Sequence, residues 1–471
     1  MLDALRIALV ITRREVRDQF RDWRIIFPII GLTIFFPFLM NFTAQQMVNF
    51  ARDYGAAIVA ERLVPFLLMI VGFFPISVSL VIALESFVGE KERGSIEPLM
   101  NTPLEDWQLY LGKLLAATIP PLISSYLGMT VYLVGLFIRG MTIPEFEILI
   151  QIIVLSTVQA IMMVAGAVVV SSQATSVRAA NLLASFIIIP VALLIQGESI
   201  MMFWGTNSTL WWAVLGLVVL TILLVRVGLA HFHREELLGR ELDVLNFSWI
   251  WKIFWENFTG GARNIKEWYA RTTLCTIKRM RLPILIAVGL TLVGFLIGLQ
   301  QVQVFNISLD RLSFEQVDER LNSLLDVWSG NDIIPVLAIW WQNVRALLLG
   351  FILGILSLGI LGTIPLIATM GIAGYLFGLL SLNGLPVLTY FLLILPHGII
   401  EIPTTILATA AVLNTGAVLA TPNPDKTIGE VMLVALADWL KVTVGFVLPL
   451  LLVAAAIEVW LTPRLMLWWL K

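Results

Sequence analysis

Predominantly apolar runs long enough to cross a bilayer recur along the whole chain, and they leave it few ways to fold. A spanning helix needs about 20 such residues, and the hydrocarbon core offers no water to the backbone, so every N–H and C=O must be bonded internally. The composition agrees. Of 471 residues, 59% are hydrophobic and 13% charged, where a soluble domain carries about 25% charge. The mean hydropathy is +0.92. An all-α polytopic helical membrane protein follows. A net charge of −2 supplies no basic field for nucleic acid. Cys275 is the single cysteine, which excludes an intrachain disulfide or a cysteine-based metal site.

The apolar runs predict about 11 membrane segments in two bundles of six and about five. The first six lie near residues 25–42, 63–84, 114–138, 148–170, 182–202 and 210–230. The second group lies near 283–301, 344–363, 365–382, 386–419 and 443–461. Between the groups, His231 to Leu282 holds nine Lys or Arg, the pair Gly260-Gly261 and the aromatic run SWIWKIFWENF. Such a segment suits the headgroup level. The expected domains are therefore 1–240, an interfacial linker 241–282, and 283–471. The N-terminal stretch has too many arginines and too short an apolar run for a signal peptide. It reads as an amphipathic surface helix, with Leu5, Ile7, Leu9 and Val10 near lipid.

Basic residues set the orientation. They crowd before the first span, after the second, and after the sixth, so the N-terminus, residues 89–113 and the linker are expected on the cytoplasmic side. Five simple spans after the linker place Arg464 and Lys471 outside, against the same rule. A re-entrant segment around Pro396 returns them inside. Two amphipathic pieces, FEQVDERLNSLLDVW and KTIGEVMLVALADWLK, are expected at the surface rather than across it. The pairs Gly350/Gly354 and Gly374/Gly378 suit close helix packing, with a glycine-lined substrate path as the other reading.

The most polar run in the first half is GEKERGSIEPLMNTPLEDWQLYLGK, residues 89–113. Thr102 and Pro103 mark a helix start, with Glu105 and Asp106 in its first turn. The run is either a solvated connection or a short helix across the cytoplasmic mouth that takes force from a soluble partner. Its order resembles the signature of type-2 ABC export permeases, the sodium- and drug-extruding group. ITRREVRDQFRDWR resembles that family's N-terminal elbow helix, with Arg13, Arg14 and Arg17, and FHREELLGR its basic tail after the sixth span. The resemblance covers about residues 1–240. It implies that Glu90, Lys91, Glu92, Arg93, Gly94, Ser95, Glu97, Thr102 and Pro103 form a coupling element that docks on a separate ABC ATPase subunit. The chain contains no G-x-x-x-x-G-K-[ST] phosphate loop, so ATP and Mg2+ belong to that partner and no cofactor is expected here.

In the second half, WWQNVRALLLG, LPHGIIEIP and AAAIEVWLTPRL resemble three landmarks of stage II sporulation protein M-like membrane proteins, over about 283–471. That family is linked to cell-envelope and peptidoglycan remodelling. Within these motifs, His397, Glu401 and Glu458 stand in apolar runs, where an ionisable side chain costs about 2.5–3.5 kcal/mol at a helix centre. His397 and Glu401 are four apart and share a helix face. A structural cluster, a proton- or ion-linked site and a metal site are all open, the last with a thin ligand set, and no metal is expected. Pro396, Gly398 and Pro403 predict a broken helix at 396–403.

Together with these resemblances, the expected role is the permease subunit of an ATP-driven exporter, not itself an enzyme, in a bacterial cytoplasmic membrane. A second permease copy is expected as partner. The alternative is a non-transporting scaffold that passes ATPase motion to an envelope-remodelling protein. Truncation near residue 240 is expected to leave a membrane-inserted six-span fragment. Its degradation even with the ATPase co-expressed, followed by immunoblotting of membranes, would show one inseparable bundle.

Overall fold

The computed structural model describes residues 2–53, 57–92, 104–174, 180, 185–204, 209–231, 247–303, 333–384, 386–421 and 427–470. The protein is 91% helical and contains no strand among the described residues, so it is an all-α polytopic membrane protein. Among the described residues ten helices are long and apolar enough to span, and Pro190–Phe203 is a shorter apolar helix in the fifth expected segment. The chain divides into two compact units, Met1–Leu245 with Ala420–Asp425, and Asn246–Leu419 with Lys426–Lys471.

Unit 1 contains α1 (Leu2–Gln19), α2 (Trp23–Asp53), α3 (Ala57–Glu92), α4 (Asp106–Ile138), α5 (Phe146–Gln173), α6 (Ser185–Trp204) and α7 (Thr209–His231). Helix α3 is central, packed by α2, α4, α5 and α6. Because lipid is as apolar as leucine, helix association relies on packing and on interhelical hydrogen bonds. The seams show both. Ser125 Oγ donates to Gly72 O at 2.7 Å, tying α4 to α3. Asn41 Nδ2 donates to Tyr132 O at 3.2 Å, tying α2 to α4. Ser171 Oγ donates to Leu84 O at 2.7 Å and accepts from the backbone N–H groups of Phe87 and Val88, tying α5 to α3. Helix α4 begins three residues later than Thr102 and Pro103 suggest: Glu105 is its N-cap, and Gln108 Oε1 accepts from the Glu105 N–H at 3.0 Å.

Unit 2 contains α8 (Phe247–Thr259), a π turn (Trp268–Thr273), α9 (Leu274–Arg279), α10 (Arg281–Gln301), α11 (Ile334–Leu356), α12 (Ile364–Leu382), α13 (Val387–Leu419), α14 (Ile428–Val442), α15 (Leu448–Trp460) and α16 (Thr462–Leu470). Helix α8 buries no residue fully and exposes Trp251 and Trp255, as an interfacial helix should. The segment after it is built into unit 2. Trp268 Nε1 donates to Phe258 O, and Tyr269 Oη donates to Gly445 O, both at 2.8 Å. Thr276 Oγ1 and the buried Lys441 both donate to Asp438 Oδ1, at 3.3 Å and 2.7 Å.

Two expectations change here. The segment PHGIIEIP is not a break, because it lies inside the continuous helix α13. Just after Pro403 the Thr404 hydroxyl donates to Ile400 O and the Thr405 hydroxyl to Glu401 O and Ile402 O, extra side-chain bonds of the kind that accompany proline in membrane helices. KTIGEVMLVALADWLK is not a separate surface helix either. Thr427 caps α14 as the spacing predicts, accepting from Glu430 N–H at 3.3 Å. The helix then runs on through a π turn at Thr443–Val447 into α15, so that Ile428–Trp460 is continuous and lies in a candidate membrane span, Gly429–Met466. Burial is possible because Asp438 and Lys441 neutralise each other. The other amphipathic piece, 314–328, lies outside the described residues.

The small residues sit at helix contacts, which supports the packing reading. Helices α10 and α12 meet backbone to backbone: a Cβ on Gly298 would overlap the Gly371 carbonyl oxygen, and one on Gly374 the Phe295 carbonyl oxygen. Gly298→Ala is therefore expected to destabilise unit 2 by about 1–3 kcal/mol. Gly289→Ala, where nothing lies within 4 Å, should leave the thermal melt of the purified protein unchanged.

Candidate functional site

In unit 1 the chemistry gathers where α1, the end of α3 and the first turns of α4 meet. Lys113, on α4, is only 2% exposed. Its Nζ donates to Glu90 Oε1 at 2.6 Å and to Ser86 O at 2.9 Å, both on α3, and lies 3.4 Å from Glu15 Oε1 on α1. The Phe87 ring lies 5.3 Å from the same ammonium. Beside α1, Thr12 Oγ1 donates to Gly112 O at 3.1 Å, and a Cβ on Gly112 would crowd Ile11 and Ala8. The knot borders a crevice of about 170 Å3 lined in part by Asp18, Asp22 and Glu85. One cation thus ties three helices, and the polar run at residues 93–103 connects two of them.

The residues expected to couple to a partner divide unevenly. Glu90 is in the knot. Lys91 and Glu92 end α3, with Glu92 exposed. Arg93, Gly94, Ser95, Glu97, Thr102 and Pro103 lie outside the described residues. On α1, Arg13, Arg14 and Arg17 are exposed, while Ala8 and Thr12 face α4. Ile7, Leu9 and Val10 are exposed, as a lipid-facing stripe requires.

In unit 2 the structure brings His397, Glu401 and Glu458 together. One ligand atom from each lies within 4.8 Å of the others, and all three residues are half-buried. Helix α13 supplies His397 and Glu401 one turn apart, and α15 supplies Glu458. Two neighbours hold the set. Asn343 Nδ2, on α11, donates to Glu401 Oε1 at 3.3 Å, and Thr462 Oγ1 stands 3.4 Å from His397 Nδ1. Four helices therefore converge on one polar point within an apolar unit.

Three features escaped sequence reasoning. Lys113 ends the run that reads as a cytoplasmic connection, yet it stands about two turns inside α4 and is buried. Asn343 and Thr462 join the unit 2 cluster only through tertiary contact. Glu198 on α6 is 2% exposed and accepts from Gln159 Nε2 of α5 at 2.7 Å. Its other oxygen has no hydrogen-bond partner among the described residues. A lone acid in the run IIIPVALLIQGESIMMFW gives the same signal that singled out His397.

Comparison with known families agrees with both resemblances. Residues 9–210 match the family described as ABC-2 family transporter protein, and residues 284–463 match stage II sporulation protein M. No curated protein and no solved structure matches the chain.

Removing the cation at the knot takes the shared ammonium from Glu90 and Glu15. Lys113→Met is expected to lower stability by about 1.5–3 kcal/mol, the range for hydrogen bonds to charged groups. Adding Glu90→Gln should recover part of that loss, because both members of the pair are then uncharged. Thermal unfolding of the single and double variants measures the coupling. Independent, additive losses would show that the pair does not hold α3 to α4.

Proposed function

Because the chain joins an ABC-2 transporter permease region to a stage II sporulation protein M region, we propose that it is the membrane subunit of an ATP-driven exporter. A separate ABC ATPase docks through residues 89–113 from the cytoplasmic side. The observation that carries this reading is the Lys113 knot. It links α1, α3 and α4 at the root of the polar run, so a push on that run moves three helices together rather than bending a free loop. Two copies of unit 1 enclose the path. ATP binding closes the partner dimer, the displacement passes through the knot, and the spans reopen to the other side.

The match over residues 284–463 supports a second role for the same motion. In that reading unit 2 carries the ATPase stroke to an envelope-remodelling protein, and no solute moves. Reconstitution separates the two. Solute-stimulated ATP hydrolysis in liposomes indicates transport. Hydrolysis that rises only with an external envelope protein indicates the scaffold.

The docking assignment has its own test. Reversing charge with Glu92→Lys and Arg93→Glu is expected to abolish co-purification of the ATPase, or its stimulation by this chain, while the thermal melt stays within a few degrees of wild type. A folded double variant with unchanged ATPase binding and turnover would place the contact elsewhere.

A further inference from the structure

We infer that His397, Glu401 and Glu458 bind a divalent transition metal of the Zn2+ class, with the fourth position open to water. The argument begins with charge. Two carboxylates within 4.8 Å of each other repel unless a cation lies between them, and an uncompensated charge away from water is costly. Among the described residues no Lys or Arg forms an ion pair with either carboxylate. Asn343 contributes only an amide dipole to Glu401.

The donor set then selects the cation. An imidazole nitrogen beside two carboxylate oxygens suits Zn2+ or a neighbouring first-row metal better than Ca2+ or Mg2+, which prefer all-oxygen shells. Ligand atoms around tetrahedral zinc sit about 2.0–2.1 Å from the ion and hence roughly 3.4 Å from one another. The ligand atoms, within 4.8 Å of one another, would need to approach by at most roughly 1.4 Å to reach that spacing.

Support behind the ligands is the third strand of the argument. In built metal sites, neighbouring polar groups orient the ligands. Asn343 does this for Glu401 and Thr462 for His397, from two further segments of chain. Thr462 is itself fixed by donating to Ile457 O at 3.4 Å. The ligands are half-buried rather than sealed. His397 lies roughly 15 Å along α13 from Val387, so the site is within the helical bundle and not in a connecting loop. Three protein ligands with a free position match the pattern of zinc sites that hold a reactive water.

Untagged, full-length protein in lipid-containing detergent, stripped with chelator, is titrated with Zn2+ and counted by mass spectrometry of metals. About one tightly held Zn2+ per chain is expected. Co2+ should give the visible absorption of a low-coordinate site and be displaced by Zn2+. His397→Ala and Glu458→Gln should abolish tight binding. Asn343→Ala and Thr462→Val should weaken it about 10–100-fold. A double His231→Ala, His233→Ala variant should bind as wild type, which separates this site from the other histidines. Should the ligand variants fail to fold, the Co2+ spectrum of the wild type still decides. No stoichiometric metal in the wild type, or equal metal in folded Glu458→Gln, would overturn the proposal and leave the carboxylates balanced by protons.

Discussion

Every level of this structure depends on the requirement that backbone hydrogen bonds be made within the chain wherever water is absent. Helices meet that requirement locally, which is why the chain is helical even through Pro28, Pro37, Pro120, Pro121, Pro396 and Pro403. Once the backbone is satisfied, what remains to hold helices together is close contact and side-chain polarity. Gly298 and Gly374 provide the first, and Ser125, Asn41 and Ser171 the second.

The same requirement explains where ionisable groups are found. Lys113 with Glu90 and Glu15, Lys441 with Asp438, and Glu198 with Gln159 each sit where a partner from another turn or helix reaches them. The first knot stands at the root of the proposed docking run. The second fixes α9 against α14, joining the linker segment to the apolar helix that closes unit 2. The cluster of His397, Glu401 and Glu458 differs, because two carboxylates converge there and no Lys or Arg forms an ion pair with either among the described residues.

Composition and run length by themselves determined that this chain is an all-α polytopic membrane protein, since about 20 apolar residues in succession have one stable arrangement in lipid. The ordered motifs at 89–113 and 396–403 pointed to both family regions. Single residues were legible when they violated their surroundings, as His397, Glu401 and Glu458 did. Tertiary structure decided what periodicity does not encode. Proline signals read as a break at 396–403, yet α13 runs through Pro396 and Pro403 as one helix. The polar face of α14 read as a surface, yet pairing of Asp438 with Lys441 let it be buried. Lys113 ends a polar run that reads as a cytoplasmic connection, yet carboxylates of α1 and α3 hold it. In each case the deciding partner is remote in sequence or hidden in local geometry, and a pattern read along one chain carries no information about it.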